Sequence, residues 1–129
     1  MNSGAYLAVA LGSALGGMAR YLVSVSVARA LGTSFPWGTL AVNMSGALII
    51  GLIAGWPGMH TASGAWLFFA IGLCGSYTTV SSFSLQSVEL LRKGEHTAAF
   101  INVLVSAAAC LTAVWLGLML ISRLAGGGA

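Results

Sequence analysis

From its first residue to residue 88 the chain contains no aspartate, glutamate or lysine. Its acidic residues are Glu89 and Glu95 alone, in a chain of 129 residues with five Lys and Arg. That scarcity excludes a proton-coupled mechanism built on a carboxylate in the first two-thirds of the chain, because such coupling needs a titratable group inside the membrane. It also leaves no general acid or base beside a nucleophile, so enzymatic function has no residues to rest on. The two histidines, His60 and His96, fall in expected loops. The two cysteines, Cys74 and Cys110, have no motif spacing and read as buried thiols. A net charge of +3, scattered along the sequence, makes no footprint for nucleic acid.

What remains is mostly hydrocarbon. The chain is 58% hydrophobic and 5% charged, more apolar surface than a soluble domain of this size can hide. A spanning helix needs about 20 apolar residues, so the chain is expected to be an all-α integral membrane protein forming one transmembrane domain over residues 1–129. Four spans are expected at about 4–31, 37–56, 62–91 and 97–123. No Lys or Arg precedes the first apolar run, and that run is too long for a signal-peptide core, so a cleaved signal is not expected.

Both prolines punctuate this pattern. Ser34-Phe35-Pro36-Trp37 reads as a helix start with Ser34 as the cap and Pro36 in the first turn. Trp56-Pro57-Gly58 reads as a stop. Trp37 and Trp56 are about 19 residues apart, roughly 28 Å of helix, which suits an interfacial tryptophan at each edge of a bilayer. Arg92-Lys93-Gly94-Glu95-His96 is a solvated turn, and Gly126-Gly127-Gly128 a flexible tail. Arg29, Arg92 and Lys93 on one side face Arg123 on the other, so the positive-inside rule sets orientation only weakly and allows both.

The segment from Gly72 to Ser84 departs from the hydrocarbon pattern. Gly72 and Gly75 are followed by the hydroxyl residues Ser76, Tyr77, Thr78, Thr79, Ser81, Ser82 and Ser84. At membrane depth irregular backbone survives only when buried in protein or lining a polar cavity, and broken helices there build ion sites. A break near residues 75–78 of the third span is therefore expected, with a half-helix from Thr79 directing its positive N-terminus inward. The alternative is that these hydroxyls bond back to their own helix.

Other polar residues have two readings each. Asn43 shares a face of span two with Thr39 and Ala47, as helix–helix glue or as a pore amide. Arg20 either concentrates anions at a vestibule or snorkels to an interface. Phe83, on a stripe with Val80 and Ser87, either packs or turns a ring edge to an anion path. Asn102, Ser106 and Cys110 form an i, i+4 stripe that should face protein or water. Gly12 and Gly16, and Ala47, Gly51 and Gly55, form small-residue stripes suited to packing within a subunit or between subunits.

Three motifs in order resemble the Fluc, or CrcB-like, family of fluoride channels, along the whole chain. They are Gly16-Gly17-Met18-Ala19-Arg20, Gly38-Thr39-Leu40-Ala41-Val42-Asn43-Met44-Ser45-Gly46, and Gly72-Leu73-Cys74-Gly75-Ser76-Tyr77-Thr78-Thr79. The resemblance implies a passive, fluoride-selective channel in the plasma (inner) membrane of a prokaryote. It implies an antiparallel homodimer of dual topology, with two pores at the subunit interface. It implies a structural sodium ion on the backbone carbonyls of Gly75 and Thr78 from each subunit. Asn43 then takes the pore-lining amide role, Phe83 the second phenylalanine of an ion-coordinating pair, and Arg20 the vestibule arginine. Ser106 begins a hydroxyl track, and Thr39, Ser81 and Ser84 complete the polar path. Two positions depart from the family pattern. Val80 stands where the first phenylalanine is expected, and Cys110 and Val114 stand where hydroxyls are expected. The alternatives are a small four-helix multidrug-type transporter, which couples through a span-one carboxylate missing here, and a structural membrane subunit.

Overall fold

The computed structural model describes residues 3–59 and 63–126. His60, the expected span-three start at residue 62, and Gly127 and Gly128 of the tail lie outside them. The described chain is all helical: α1 (Ser3–Leu31), α2 (Trp37–Ala54), α3 (residues 64–77), α4 (Val80–Arg92) and α5 (His96–Gly126). Four helical stretches are long and apolar enough to cross a membrane: Ser3–Leu31, Trp37–Ala54, Gly64–Arg92 and His96–Ala125.

Local chemistry fixes the ends of these helices. Gly32 adopts φ +85° and its N–H donates to the Ala28 carbonyl at 2.9 Å, a left-handed glycine cap closing α1. Gly94, at φ +78°, ends the turn after α4 in the same way. The start of α2 differs from the sequence expectation. Its cap is Pro36, without a side-chain hydrogen bond, so Ser34 does not cap the helix. Phe35 instead packs its ring on Trp37 at 4.7 Å. The helix also ends at Ala54, leaving Trp56 in the following turn.

α3 begins at a Ser63 cap, whose Oγ accepts from the Trp66 N–H at 3.1 Å. From Leu67 to Cys74 it is a π-helix, and the N–H of Gly75 still reaches the Ala70 carbonyl five residues back. Nothing in the apolar sequence signalled this wider coil. A wide turn of this kind costs backbone regularity, and it commonly accompanies a functional site.

Glycine lets α1 and this π stretch lie against each other. A Cβ on Gly72 would stand 2.8 Å from the Val9 carbonyl and 3.0 Å from the Gly12 Cα, and one on Gly16 would collide with the Leu73 carbonyl. α2 and α5 approach as closely and run in the same direction. Gly51 meets the Val114 backbone, Gly117 meets Leu48 to Leu52, and Gly55 meets the Ile121 side chain. Gly12, Gly16, Gly51 and Gly55 of the small-residue stripes thus pack within one chain, while Ala47 lines a cavity. The outward faces stay apolar: Leu7, Leu11, Leu15, Met18 and Leu22 of α1 are all exposed. A helix apolar around its whole surface needs lipid or another protein over that surface.

Candidate ion site at the α3–α4 junction

The helical backbone stops at Tyr77 and resumes at Val80. Thr78 (φ −76°, ψ 158°) and Thr79 (φ −150°, ψ 123°) between them are extended. The half-helix therefore starts at Val80, one residue later than expected, with Thr79 as its cap. Thr79 Oγ1 accepts from the Ser82 N–H at 3.2 Å and also contacts the Ser81 and Ser82 hydroxyls at 3.2 Å. The Thr79 side chain thereby satisfies one of the first backbone donors of α4, the Ser82 N–H, as an N-cap does.

Extended residues inside a helical span leave backbone groups without ladder partners, and α2 supplies them. Asn43 Oδ1 accepts from the Thr79 N–H at 2.7 Å, while Asn43 Nδ2 donates to the Thr79 carbonyl at 2.9 Å. One side-chain amide holds both backbone groups of one residue. An amide carries two N–H donors, so one N–H of Asn43 remains for another acceptor. Two residues further along α2, Ser45 Oγ lies 2.9 Å from the Tyr77 hydroxyl and donates to the Ala41 carbonyl at 2.7 Å. Buried Tyr77 anchors the end of α3 in this way. The expected back-bonding is also present in part, because Thr78 Oγ1 donates to the Cys74 carbonyl at 3.0 Å.

Beside this junction lies a cavity of about 400 Å³, lined among others by Asn43, Gly75, Thr78, Thr79, Val80 and Cys110. Val80 is 76% exposed at its rim. The structure brings these residues together, and it places the other expected site residues elsewhere. Thr39, buried, lines a second cavity of about 460 Å³ at the end of the fold, with Ser24, Gln86, Glu89 and Lys93. Ser81 and Ser84 are exposed on α4, Phe83 is half-buried, and Arg20 is half-buried on α1 and lines neither cavity.

Ser106 belongs to a buried network that sequence reasoning left incomplete. Its Oγ donates to Asn102 Oδ1 at 3.4 Å, Asn102 Nδ2 donates to Ser87 Oγ at 2.9 Å, and Ser87 Oγ donates to the Phe83 carbonyl at 2.8 Å. Asn102 was visible only as a member of a polar stripe, and Ser87 only as a neighbour of Phe83 on α4. Thr79, the residue that Asn43 grips, was expected as a helix start and not as part of the site. Gln86 was missed altogether, and its Oε1 is buried without a hydrogen-bond partner.

Among the described residues no group of three or more His, Cys, Asp or Glu side chains comes together. Any cation at the junction is left to backbone carbonyls and hydroxyls, ligands that suit hard cations.

Comparison with known proteins decides the family. Residues 7–118 match the family described as CrcB-like protein, Camphor Resistance (CrcB). The chain belongs to the CrcB-like family. Curated relatives cover nearly its whole length. Fluoride-specific ion channel FluC 2 of Bradyrhizobium diazoefficiens is 48% identical over 124 residues, covering 93% of this chain and 90% of the relative. Fluoride-specific ion channel FluC of Rhodospirillum rubrum is 49% identical over 116 residues, 87% of this chain and 90% of the relative. The namesake of Geobacter sp. (strain M21) is 48% identical over 113 residues, 86% and 91% respectively. With four apolar helices of spanning length, this CrcB-like chain is a multi-pass membrane protein.

Proposed function

We propose that the protein is a fluoride-specific ion channel that lets fluoride leave the cell passively. The observation that carries this reading is the near-half identity, over about nine-tenths of the chain, to relatives named fluoride-specific ion channels. The absence of acidic residues before position 89 fits passive conduction, since no carboxylate is available there to couple flux to protons.

The working unit in this reading is an antiparallel homodimer in the prokaryotic inner membrane, inserted in both orientations, with two pores along the interface. Its support is the exposed apolar surface of the single chain and the open position of Gly75 and Val80 beside the cavity. In each pore the free N–H of Asn43 offers a donor to the anion. The edge of the Phe83 ring offers a second electropositive surface, and Ser106, Thr39, Ser81 and Ser84 offer hydroxyls along the way. Arg20 raises the anion concentration near one mouth.

The junction also fits a structural sodium ion. The Thr79 N–H goes to Asn43 and not to the Gly75 carbonyl four residues back, where a continued helix would send it. Gly75 is exposed, with nearly open space where a side chain would stand. Gly75 and Thr78 from one chain give two carbonyls, so a full coordination shell needs a second copy. Bound there, sodium would supply a fixed positive charge and a tie between subunits.

Fluoride efflux from proteoliposomes, read by a fluoride electrode with valinomycin and no proton gradient, tests the reading. Fast fluoride release with chloride retained is expected. Equal release of both ions, or of neither, would refute it.

A further inference from the structure

We infer that Asn43 is a positioning residue for the cation site, because its amide keeps the Gly75 carbonyl free. This inference rests on the sodium reading above and extends it to a residue on another helix.

Two acceptors compete for one N–H. The Thr79 N–H is held by Asn43 Oδ1 at 2.7 Å; were Thr78 to turn from its extended ψ of 158° to a helical one, the acceptor would be the Gly75 carbonyl, the partner in an uninterrupted α-helix. The residue just before shows that the ladder is otherwise intact, since the Thr78 N–H still donates to the Cys74 carbonyl at 3.0 Å. The ladder first lapses at Thr79, whose N–H Asn43 captures, before α4 starts afresh at Val80. The second bond, from Asn43 Nδ2 to the Thr79 carbonyl at 2.9 Å, holds the same residue from its other side. Away from water an unpaired backbone group costs several kcal/mol, so removing the amide drives the Thr79 N–H back to the Gly75 carbonyl. The carbonyl expected to hold sodium is then consumed by the helix. Asn43 thus links the proposed anion path to the cation site.

Two substitutions separate this role from a purely pore-lining one. Asn43→Asp keeps an oxygen to accept the Thr79 N–H, whether or not the carboxyl is ionised, so the ladder stays open. Asn43→Leu has nearly the same shape and no acceptor, and Asn43→Ala removes the acceptor with no added bulk should the leucine fail to fold. Each protein is purified as the assembled full chain. Its thermal unfolding is followed as sodium replaces N-methyl-D-glucamine, since a ligand of the folded state raises the transition temperature. Fluoride efflux is measured in parallel.

The wild type and Asn43→Asp are expected to be stabilised by sodium over the same concentration range, although Asn43→Asp conducts poorly. Asn43→Leu and Asn43→Ala are expected to need on the order of tenfold more sodium, or to show no response. A sodium response in Asn43→Leu or Asn43→Ala equal to that of the wild type would overturn the inference and leave the sodium reading standing. A wild type indifferent to sodium would overturn both, while fluoride efflux would still report on the channel itself.

Discussion

Asn102 and Ser87 are joined by a 2.9 Å hydrogen bond from Nδ2 to Oγ across the α4–α5 contact, and Asn102 is only 2% exposed. Ser87 uses its own proton on the Phe83 carbonyl at 2.8 Å. The proposed ring ligand of the pore is thus tied, through its backbone, to a buried amide on the neighbouring helix.

Replacing Asn102 by Leu should loosen that tie. Leucine fills similar volume but strands the Ser106 hydroxyl and removes the donor to Ser87. A hydrogen bond between membrane helices is worth about 0.6 kcal/mol on average, and stranding the buried Ser106 hydroxyl within α5 adds about 1 kcal/mol, so a loss of roughly 1–2 kcal/mol is expected. Thermal unfolding of the purified protein measures it, and an unchanged transition would show that the network contributes nothing to stability. Efflux should fall as well, because the helix that carries Phe83 loses this tie to α5.

Phe83→Ile should slow fluoride efflux more than Ser106→Ala. The phenyl edge offers an electropositive surface that isoleucine lacks. Ser106 is buried and directs its hydroxyl to Asn102 Oδ1, so it must give up a bond before it can serve an anion. Initial efflux rates of the two variants compare them directly. A larger loss in Ser106→Ala would move the anion path from the ring to α5.

Gly72→Ala and Gly17→Ala form a matched pair on stability. A methyl at position 72 meets the Val9 carbonyl and the Gly12 Cα at 3.0 Å or less, all rigid backbone. It should cost about 1–3 kcal/mol by overpacking. A methyl at position 17 meets nothing within 4 Å in the chain. There the higher helix propensity of alanine should leave stability level or raise it by up to about 1 kcal/mol. Equal effects in the two variants would mean that the α1–α3 approach is not what the glycines serve.

The contrast between those two glycines also shows what the sequence could reveal. The spacing of Gly12 and Gly16 announces a close helix approach, but not which helix arrives. The partner is fixed by the π stretch from Leu67 to Cys74, and an all-apolar run carries no mark of a wider coil. The interruption in the third span was legible as a cluster of glycine and hydroxyls, within a residue or two of where Thr78 and Thr79 turn extended. The role of Asn43 was legible only as two alternatives, because an amide at a given position announces neither donor nor acceptor geometry. The structure gives it the glue role toward Thr79 and leaves one N–H for the other. Ser34 failed as a cap for a simple reason: a proline two residues later already sets the start of α2.

Val80 offers a direct test of how aromatic edges contribute to conduction. It stands where the family resemblance leads one to expect phenylalanine, on the first turn of α4 at the rim of the junction cavity. Being 76% exposed, it leaves room in its own chain for a ring, so Val80→Phe should not overpack the fold. An added ring edge toward the anion is worth about 0.5–1.5 kcal/mol in aromatic contacts, which corresponds to a rise in rate of up to about tenfold. The measurement is initial fluoride efflux per reconstituted protein, with unfolding temperature as the control for fold. A faster variant would identify Val80 as a position that limits flux in this protein. An unchanged rate with an intact fold would place the barrier elsewhere on the path, with Asn43 and Phe83 the next residues to examine.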